Sequence, residues 1–291
     1  MSDFILTCGS TADLGEECAK RRNIGVLPFR FRIGEEDYLD DFGKSISYKD
    51  FYEAVSKGAK VKTSQITSGE YIEFFEPYFQ KGTDVIHITL SSGLSGTYNS
   101  CLMAKSELEA KYPERKLYVI DSLCGSMGYG MLVDIAADYR DEGYCAEEIV
   151  KLTEARRSKI KALYFSPDLS AFIRGGRLSP AAGFIGTLLK IVPLLGVTGD
   201  GKLAVKKKLI GKKRAIAELV SEMVSSAADG KNYGGRCCVC HAENLVDAQT
   251  VVTEIEKAFS KLKGKCEISE IGATMGCHCG KETIAVFYEG E

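Results

Sequence analysis

The sequence predicts an α/β protein with a mostly parallel sheet flanked by helices in its first half and a second α/β domain after it. Three observations carry that reading. Strand-like and helix-like segments alternate through the first 160 residues, the pattern of βαβ units on a parallel sheet. The run DVIHITL (84–90) is almost continuously apolar, as a strand buried on both faces requires. Near residue 160 the alternation gives way to a different order of elements. This sets the expected domains at 1–160 and 161–291, although no Pro- or Ser-rich linker marks the boundary.

The elements follow in order. FILTCGST (4–11) reads as a strand ending in a hydroxyl-rich loop, ADLGEECAKRR (12–22) as a helix, and IGVLPFRFRIG (24–34) as one strand. SYKDFYEAVSKG (47–58) has a Ser cap and a Gly stop, and SGEYIEFFEPYFQKG (68–82) repeats that grammar with Ser68 and Gly82. After strand 84–90 come a helix over 95–112, a strand at KLYVIDS (116–122) and helices over 128–143 and 146–159. In the second half, KALYFSP (161–167) is a strand and LSAFIRGGRLS (169–179) a short helix broken by Gly175 and Gly176. The stretch 180–197 is apolar and Gly-punctuated, 202–211 an exposed strand, 212–229 a helix, 234–244 a strand and 244–259 a helix. The segment 265–272 is a strand, 272–283 a Gly-rich loop, and 282–290 the closing strand.

Composition narrows the function classes. The chain has 291 residues, enough for a real core in one or two domains. A formal charge of -2 gives no whole-molecule attraction for nucleic acid or anionic membranes. The N-terminus lacks a basic stretch before a long apolar core, so it does not read as a signal peptide. No run of about 18 apolar residues suggests a membrane span. The eleven cysteines sit mostly in apolar segments and read as reduced, buried small hydrophobes of a cytoplasmic protein.

Three hydroxyl-rich loops carry the chemistry. In SSGLSGTY (91–98) a buried strand runs through Ser91, Ser92 and Ser95 into a helix. Free N–H groups at a helix start, and Gly93 and Gly96 allowing close approach, suit a phosphate or carboxylate. The plain alternative is that Ser95 only caps the helix. KTSQ (62–65) presents Thr63, Ser64 and Gln65, also the residues of an ordinary turn. TCGSTADL (7–14) is the third loop, and none of the three has a general base nearby in sequence. His87 and His241 lie in strands and read as structural, whereas His278 in GATMGCHCGKET (272–283) can donate to an anion. CCVCH (237–241) and CHC (277–279) lack the C-x₂₋₄-C spacing of structural zinc, so no metal is expected. There is no G-x-S-x-G elbow and no nucleotide-binding glycine motif. Arg174, Arg177 and the basic residues of 206–214 read as a solvated face, with Arg174 and Arg177 also suited to a phosphate.

Taken together and in order, STADL (10–14), the 26–41 region, KTSQ, LSSGLSGTYNS (90–100) and VIDS (119–122) resemble the DegV family of bacterial fatty-acid-binding proteins. FIRGGRLS (172–179), GTLLKIVPLL (186–195), KKRAI (212–216) and the closing GxxxGxHxG (272–280) extend the resemblance over essentially the whole chain. The resemblance implies two α/β domains with the ligand in a cleft between them. It implies a long-chain fatty acid such as palmitate as ligand, no cofactor and no catalysis by the chain itself. The carboxylate would be held by Thr63 and Ser95, with Ser92, Ser64 and His278 beside them. Phe184, Ile185, Leu188 and Leu189 would line or support an acyl tunnel. A separate fatty acid kinase would then receive the bound acid, making acyl phosphate for phospholipid synthesis. Arg174 and Arg177 would meet that kinase or the new phosphate. The net charge of -2 argues against a nucleic-acid partner and leaves room for transient membrane contact. Two departures stand out: Gly9-Ser10-Thr11 where Asp-Ser-Thr is usual, and Ile66 where Pro follows TSQ. The alternative from the residues alone is a serine-dependent acyl or phosphoryl transfer enzyme using Ser95.

Overall fold

The computed structural model describes residues 4–179 and 191–291. The stretch 180–190, and with it Phe184, Ile185, Leu188 and Leu189, lies outside the described residues.

Strands β1 (Phe4–Gly9), β2 (Ile24–Leu27), β6 (Asp84–Thr89) and β7 (Leu117–Asp121) form one sheet in the order β2-β1-β6-β7, parallel throughout. Helices α1 (Glu16–Arg21), α3 (Ser68–Gln80), α4 (Thr97–Lys111), α5 (Ser126–Asp141) and α6 (Ala146–Arg157) accompany it. A six-stranded mixed sheet has the order β10-β9-β8-β13-β11-β12. Its strands are β8 (Ile160–Phe165), β9 (Ile191–Val197), β10 (Leu203–Ile210), β11 (Cys237–His241), β12 (Glu267–Glu270) and β13 (Ile284–Glu289). All of its strands come from residue 160 onward, and only β11 and β12 run parallel.

Inserted in chain order between β2 and β6 is an antiparallel three-stranded sheet of β3 (Arg30–Ile33), β4 (Glu36–Leu39) and β5 (Val61–Ser64), in the order β4-β3-β5. The sequence pattern did not reveal it. Residues 24–34 read as one strand, yet they divide into β2 and β3 in different sheets. Pro28 sits at the break, where its missing N–H cannot continue a ladder. The next donor, Phe29 N–H, goes instead to Ser10 Oγ (3.0 Å). Residues 62–65, read as a turn, place Thr63 and Ser64 in β5, where Thr63 pairs with Phe31.

Helix starts follow local chemistry. Ser47 caps α2 (Tyr48–Ser56) by accepting from Asp50 N–H. Helix α3 is capped by Thr67, one residue before the expected Ser68, through a reciprocal box with Glu70. The short helix α7 (Ser170–Arg174) stops before Gly175. Helices α8 (Lys212–Ser226) and α9 (Leu245–Ala258) pack on the six-stranded sheet through Leu219, Met223, Val251 and Ile255. The largest departure is at 272–283. Residues expected to form a loop make helix α10 (Ala273–Cys279), which ends where Gly280 takes φ +71°.

A continuous core joins the parallel sheet to the inner face of the six-stranded sheet, while a second core lies under α8 and α9. Cys238 and Cys240 belong to the first core and Cys237 to the second, as alternation along β11 dictates. All eleven cysteines are free thiols, and eight are buried. His87 is fully buried with Nδ1 2.9 Å from Thr7 Oγ1, and burial pushes its pKa down to about 3. Among the described residues no helix is long and apolar enough to cross a membrane.

Candidate functional site

Strand β5 delivers the first polar group. Its side chains alternate, so Thr63 turns inward while Lys62 and Ser64 are exposed. Helix α10 delivers the second. His278 sits in its last turn with Nε2 2.8 Å from Thr63 Oγ1, although 215 residues separate them. Desolvation pushes the His278 pKa down to about 4, and the Arg177 guanidinium adds to the shift. The ring is therefore neutral at pH 7. Among the described residues its buried Nδ1 has no hydrogen-bond partner. In the tautomer that carries its proton on Nε2, Nδ1 holds a bare lone pair. Nε2–H then donates to Thr63 Oγ1, and the Thr63 hydroxyl proton is free to turn into the cavity.

That cavity has a volume of about 270 Å³, a little below the range of roughly 300–1,000 Å³ for small-molecule sites. Thr63, Ser64, Gln65, Ser95, Arg177 and His278 line its polar part. Phe29, Leu90, Leu94, Phe172, Leu203 and Met275 are among its apolar walls. The lining combines residues of the parallel sheet's loops, of β5, of α7 and of the six-stranded sheet.

The loop after β6 does more than present hydroxyls. Ser91 is fully buried and donates to Gly201 O (2.8 Å), tying the loop to the β9–β10 turn. Ser95 Oγ accepts from Thr97 N–H (3.2 Å) and lies 2.7 Å from Thr97 Oγ1. The N-cap of α4 is Gly96, with no side-chain cap hydrogen bond, so Ser95 does not cap the helix; it closes a two-residue turn onto Thr97 and lines the cavity. Ser92 is exposed and outside the lining; its backbone N–H donates to Asp121 Oδ1 (3.1 Å). Gln65 fits closely over Gly96, where a Cβ would meet Gln65 Oε1 at 2.4 Å.

Arg177 follows the Gly175–Gly176 break of α7. Its Nε donates to Leu94 O (3.0 Å) and its Nη1 to Gly175 O (2.5 Å). It is half-buried, and desolvation lowers its pKa. The cation thus stands at the cavity wall, fixed by two carbonyls and with no carboxylate among its hydrogen-bond partners in the described residues. Arg174 is exposed and outside the lining. In the basic stretch, Lys206 and Lys207 pair with Glu218 and Glu222, and Lys212 with Asp247.

Perturbed acids, absent from the sequence reading of these loops, are present in the structure. Asp13 is half-buried; Ser126 Oγ donates to its Oδ2 (2.6 Å) and Gly272 N–H to its Oδ1 (3.1 Å). Burial first, and neighbouring Asp40 second, raise the Asp13 carboxyl well above its ordinary range. Asp40 is also raised by burial and accepts from Ser10 Oγ (3.1 Å). Ser126 reaches the cavity, so the first loop connects to the site through Asp13. Gly9 is accounted for locally: a Cβ there would lie 2.7 Å from Phe29 Cε2. Asp13 lies in STADL and Asp40 in the 26–41 region, but nothing local announces their pairing, which forms across 27 residues of chain and the start of α10. Among the described residues no group of three or more His, Cys, Asp or Glu side chains is placed to hold a metal ion.

Comparison with known proteins adds to this geometry. The model of a family described as "Uncharacterised protein, DegV family" matches residues 5–291. A DegV domain-containing protein of Clostridium perfringens is 31% identical over 291 residues, covering 100% of this chain and 99% of the relative. Among solved structures, DegV of Bacillus subtilis, described as a fatty acid binding protein, is 29% identical with a TM-score of 0.83, both chains covered fully. A Streptococcus pneumoniae structure described as Fatty Acid Kinase (Fak) B3 protein loaded with linoleic acid shares the fold, with a TM-score of 0.85 at 22% identity and both chains covered fully.

Proposed function

This chain belongs to the DegV family, and from that premise we propose that it binds a long-chain fatty acid and carries it rather than transforming it. The observation that supports this most directly is a cavity lined by both hydrogen-bonding and apolar side chains, reached by Thr63, His278 and Arg177 together. In this reading Thr63 and Ser95 donate to the carboxylate, with Ser64 and Gln65 beside them. His278 orients the Thr63 hydroxyl. Arg177 offsets the carboxylate charge, which would otherwise be costly to bury. Each CH₂ of the tail removed from water contributes roughly 0.8 kcal/mol, so the chain supplies most of the affinity and the head sets orientation. Phe184, Ile185, Leu188 and Leu189 remain the proposed tunnel residues.

The carrier reading extends to a partner, a fatty acid kinase that phosphorylates the presented carboxylate. The fold relative loaded with linoleic acid is described by a kinase name. Exposed Arg174 and the cavity-edge Arg177 are the side chains proposed to meet the kinase or the new acyl phosphate. The reaction belongs to the kinase, and this chain supplies position.

Mass spectrometry of protein made in a bacterial host, under native and then denaturing conditions, tests the reading. A fatty acid released on denaturation is expected. Protein that is empty as isolated, and that after delipidation binds neither palmitate nor oleate, would overturn it. The enzyme alternative has less support, because the Ser95 hydroxyl meets Thr97 and not His278. Ester turnover that disappears in Ser95→Ala would favour it.

A further inference from the structure

Six of the eleven cysteines lie at 237, 238, 240, 266, 277 and 279, and the ligand cavity explains none of the first four. Strands β11 and β12 run parallel with Cys238 opposite Glu267. One position earlier, the same register places Cys237 opposite Cys266. Both side chains pack against the same core, under α9 and Phe259. The neighbouring sulfur raises the Cys237 thiol and lowers that of Cys266. Cys237 is buried and Cys266 is partly exposed. Neighbouring strands stand about 4.8 Å apart, within the Cα separation of roughly 4.4–6.8 Å that a disulfide spans.

We propose that Cys237 and Cys266 form a reversible oxidative cross-link, a peroxide-responsive thiol pair at the edge of the six-stranded sheet. Cys266 is the attacking sulfur because it is accessible and relieved of its proton most easily. Its thiolate attacks one oxygen of hydrogen peroxide; the O–O bond breaks, hydroxide leaves and takes up the released proton as water, and Cys266 becomes a sulfenic acid. Cys237 sulfur then attacks the sulfenic sulfur. The S–S bond forms, the S–O bond breaks, and the departing hydroxide takes the Cys237 proton as a second water. Two thiols lose two electrons and two protons in all, and a small-molecule thiol reverses the change. The other close pair, Cys238 and Cys240 with sulfurs 3.7 Å apart, is fully inside the core and shares Ser269 as neighbour, so it lacks the accessible member.

The cross-link would act on an edge strand. Strand β12 is a four-residue edge with three exposed residues, and it leads through Ile271 and Gly272 into α10, which carries His278. Joining Cys266 to Cys237 pins the strand that positions that helix.

The test treats the full chain, with exposed Cys145 replaced by Ser, with hydrogen peroxide and then maps peptides without reduction. Trypsin leaves 237–257 and 266–281 as separate peptides. A joined species two hydrogens lighter than their sum, restored to separate peptides by dithiothreitol, is expected. It disappears in Cys266→Ser and persists in Cys277→Ser and in Cys279→Ser. Hydrogen exchange at 267–270 slows in the oxidised protein. Failure of the two peptides to join, or a joined species that survives Cys266→Ser, overturns the proposal. Oxidation that stops at a Cys266 sulfenic or sulfinic acid without joining Cys237 also overturns it.

Discussion

Gly175 lies directly against the ring of His278: a Cβ at position 175 would sit 2.3 Å from His278 Nδ1. The φ of Gly175 is -74°, so the backbone there would accept any residue, and only the histidine demands glycine. Gly175→Ala is therefore expected to push the imidazole off Thr63. Fatty-acid affinity should fall about tenfold, the effect of losing one hydrogen bond of about 1.4 kcal/mol. Melting temperature should change little by comparison. A titration with a fluorescent fatty acid reads the first quantity; unchanged affinity would count against His278 as the group that orients Thr63.

Thr63 itself separates hydroxyl from methyl. Thr63→Ser keeps the donor and should bind within about threefold of the parent, whereas Thr63→Ala should lose roughly tenfold or more. Equal losses in the two variants would mean that the site reads the methyl group and not the hydroxyl.

Acid should weaken the folded protein through its histidines. His278 has a folded pKa near 4 against an ordinary value of 6.5. Between those values the unfolded chain binds more protons, so stability contributed by this group is complete above about pH 6.5 and declines as pH falls toward 4. Denaturant melts at pH 7 and pH 4.5 should show a smaller loss for His278→Gln than for the parent. His87, pushed down to about 3, contributes the same sign in both proteins. An identical loss in the two proteins would contradict the assignment.

Asp13 has the opposite sign. Its folded carboxyl titrates above the ordinary range because of burial and Asp40. The charge therefore costs stability at alkaline pH, and the cost fades as pH falls and the group is protonated. Asp13→Asn preserves an acceptor for Gly272 N–H and should raise the melting temperature at pH 8 more than at pH 5. A lower melting temperature at both values would show that the charged carboxylate is instead what the Ser126 and Gly272 donors require.

Tyr129 supplies a prediction about the core. Its hydroxyl accepts from Gly9 N–H (2.7 Å) and donates to Ile88 O, linking the ends of β1 and β6 from α5. Tyr129→Phe removes the hydroxyl partner of two buried backbone groups and should cost about 1–3 kcal/mol in chemical denaturation. A change below about 0.5 kcal/mol would mean that those groups find other partners.

By itself the sequence determined the alternating elements of the parallel sheet, because buried strands and amphipathic helices write their periods into neighbouring residues. It also determined the hydroxyl loops, and through their serial order the family. Docking of distant segments decided the rest. Residues 272–280 carry glycines that disfavour a helix by about 1 kcal/mol each, so they read as a loop. Packing overrides that preference: a Cβ at Gly276 would lie 2.7 Å from both Phe51 Cε1 and Tyr52 Oη, and α10 can lie this close to α2 only because glycine is there. The same docking turns Thr63 from a turn residue into a strand residue facing His278. It also removes Ser92 from the cavity, brings Gln65 and Arg177 into its wall and sets half-buried Asp13 near Asp40. Periodicity reports which face a residue takes on its own element. Which faces meet across 215 residues is settled by packing, and the Thr63–His278 hydrogen bond is a product of that step alone.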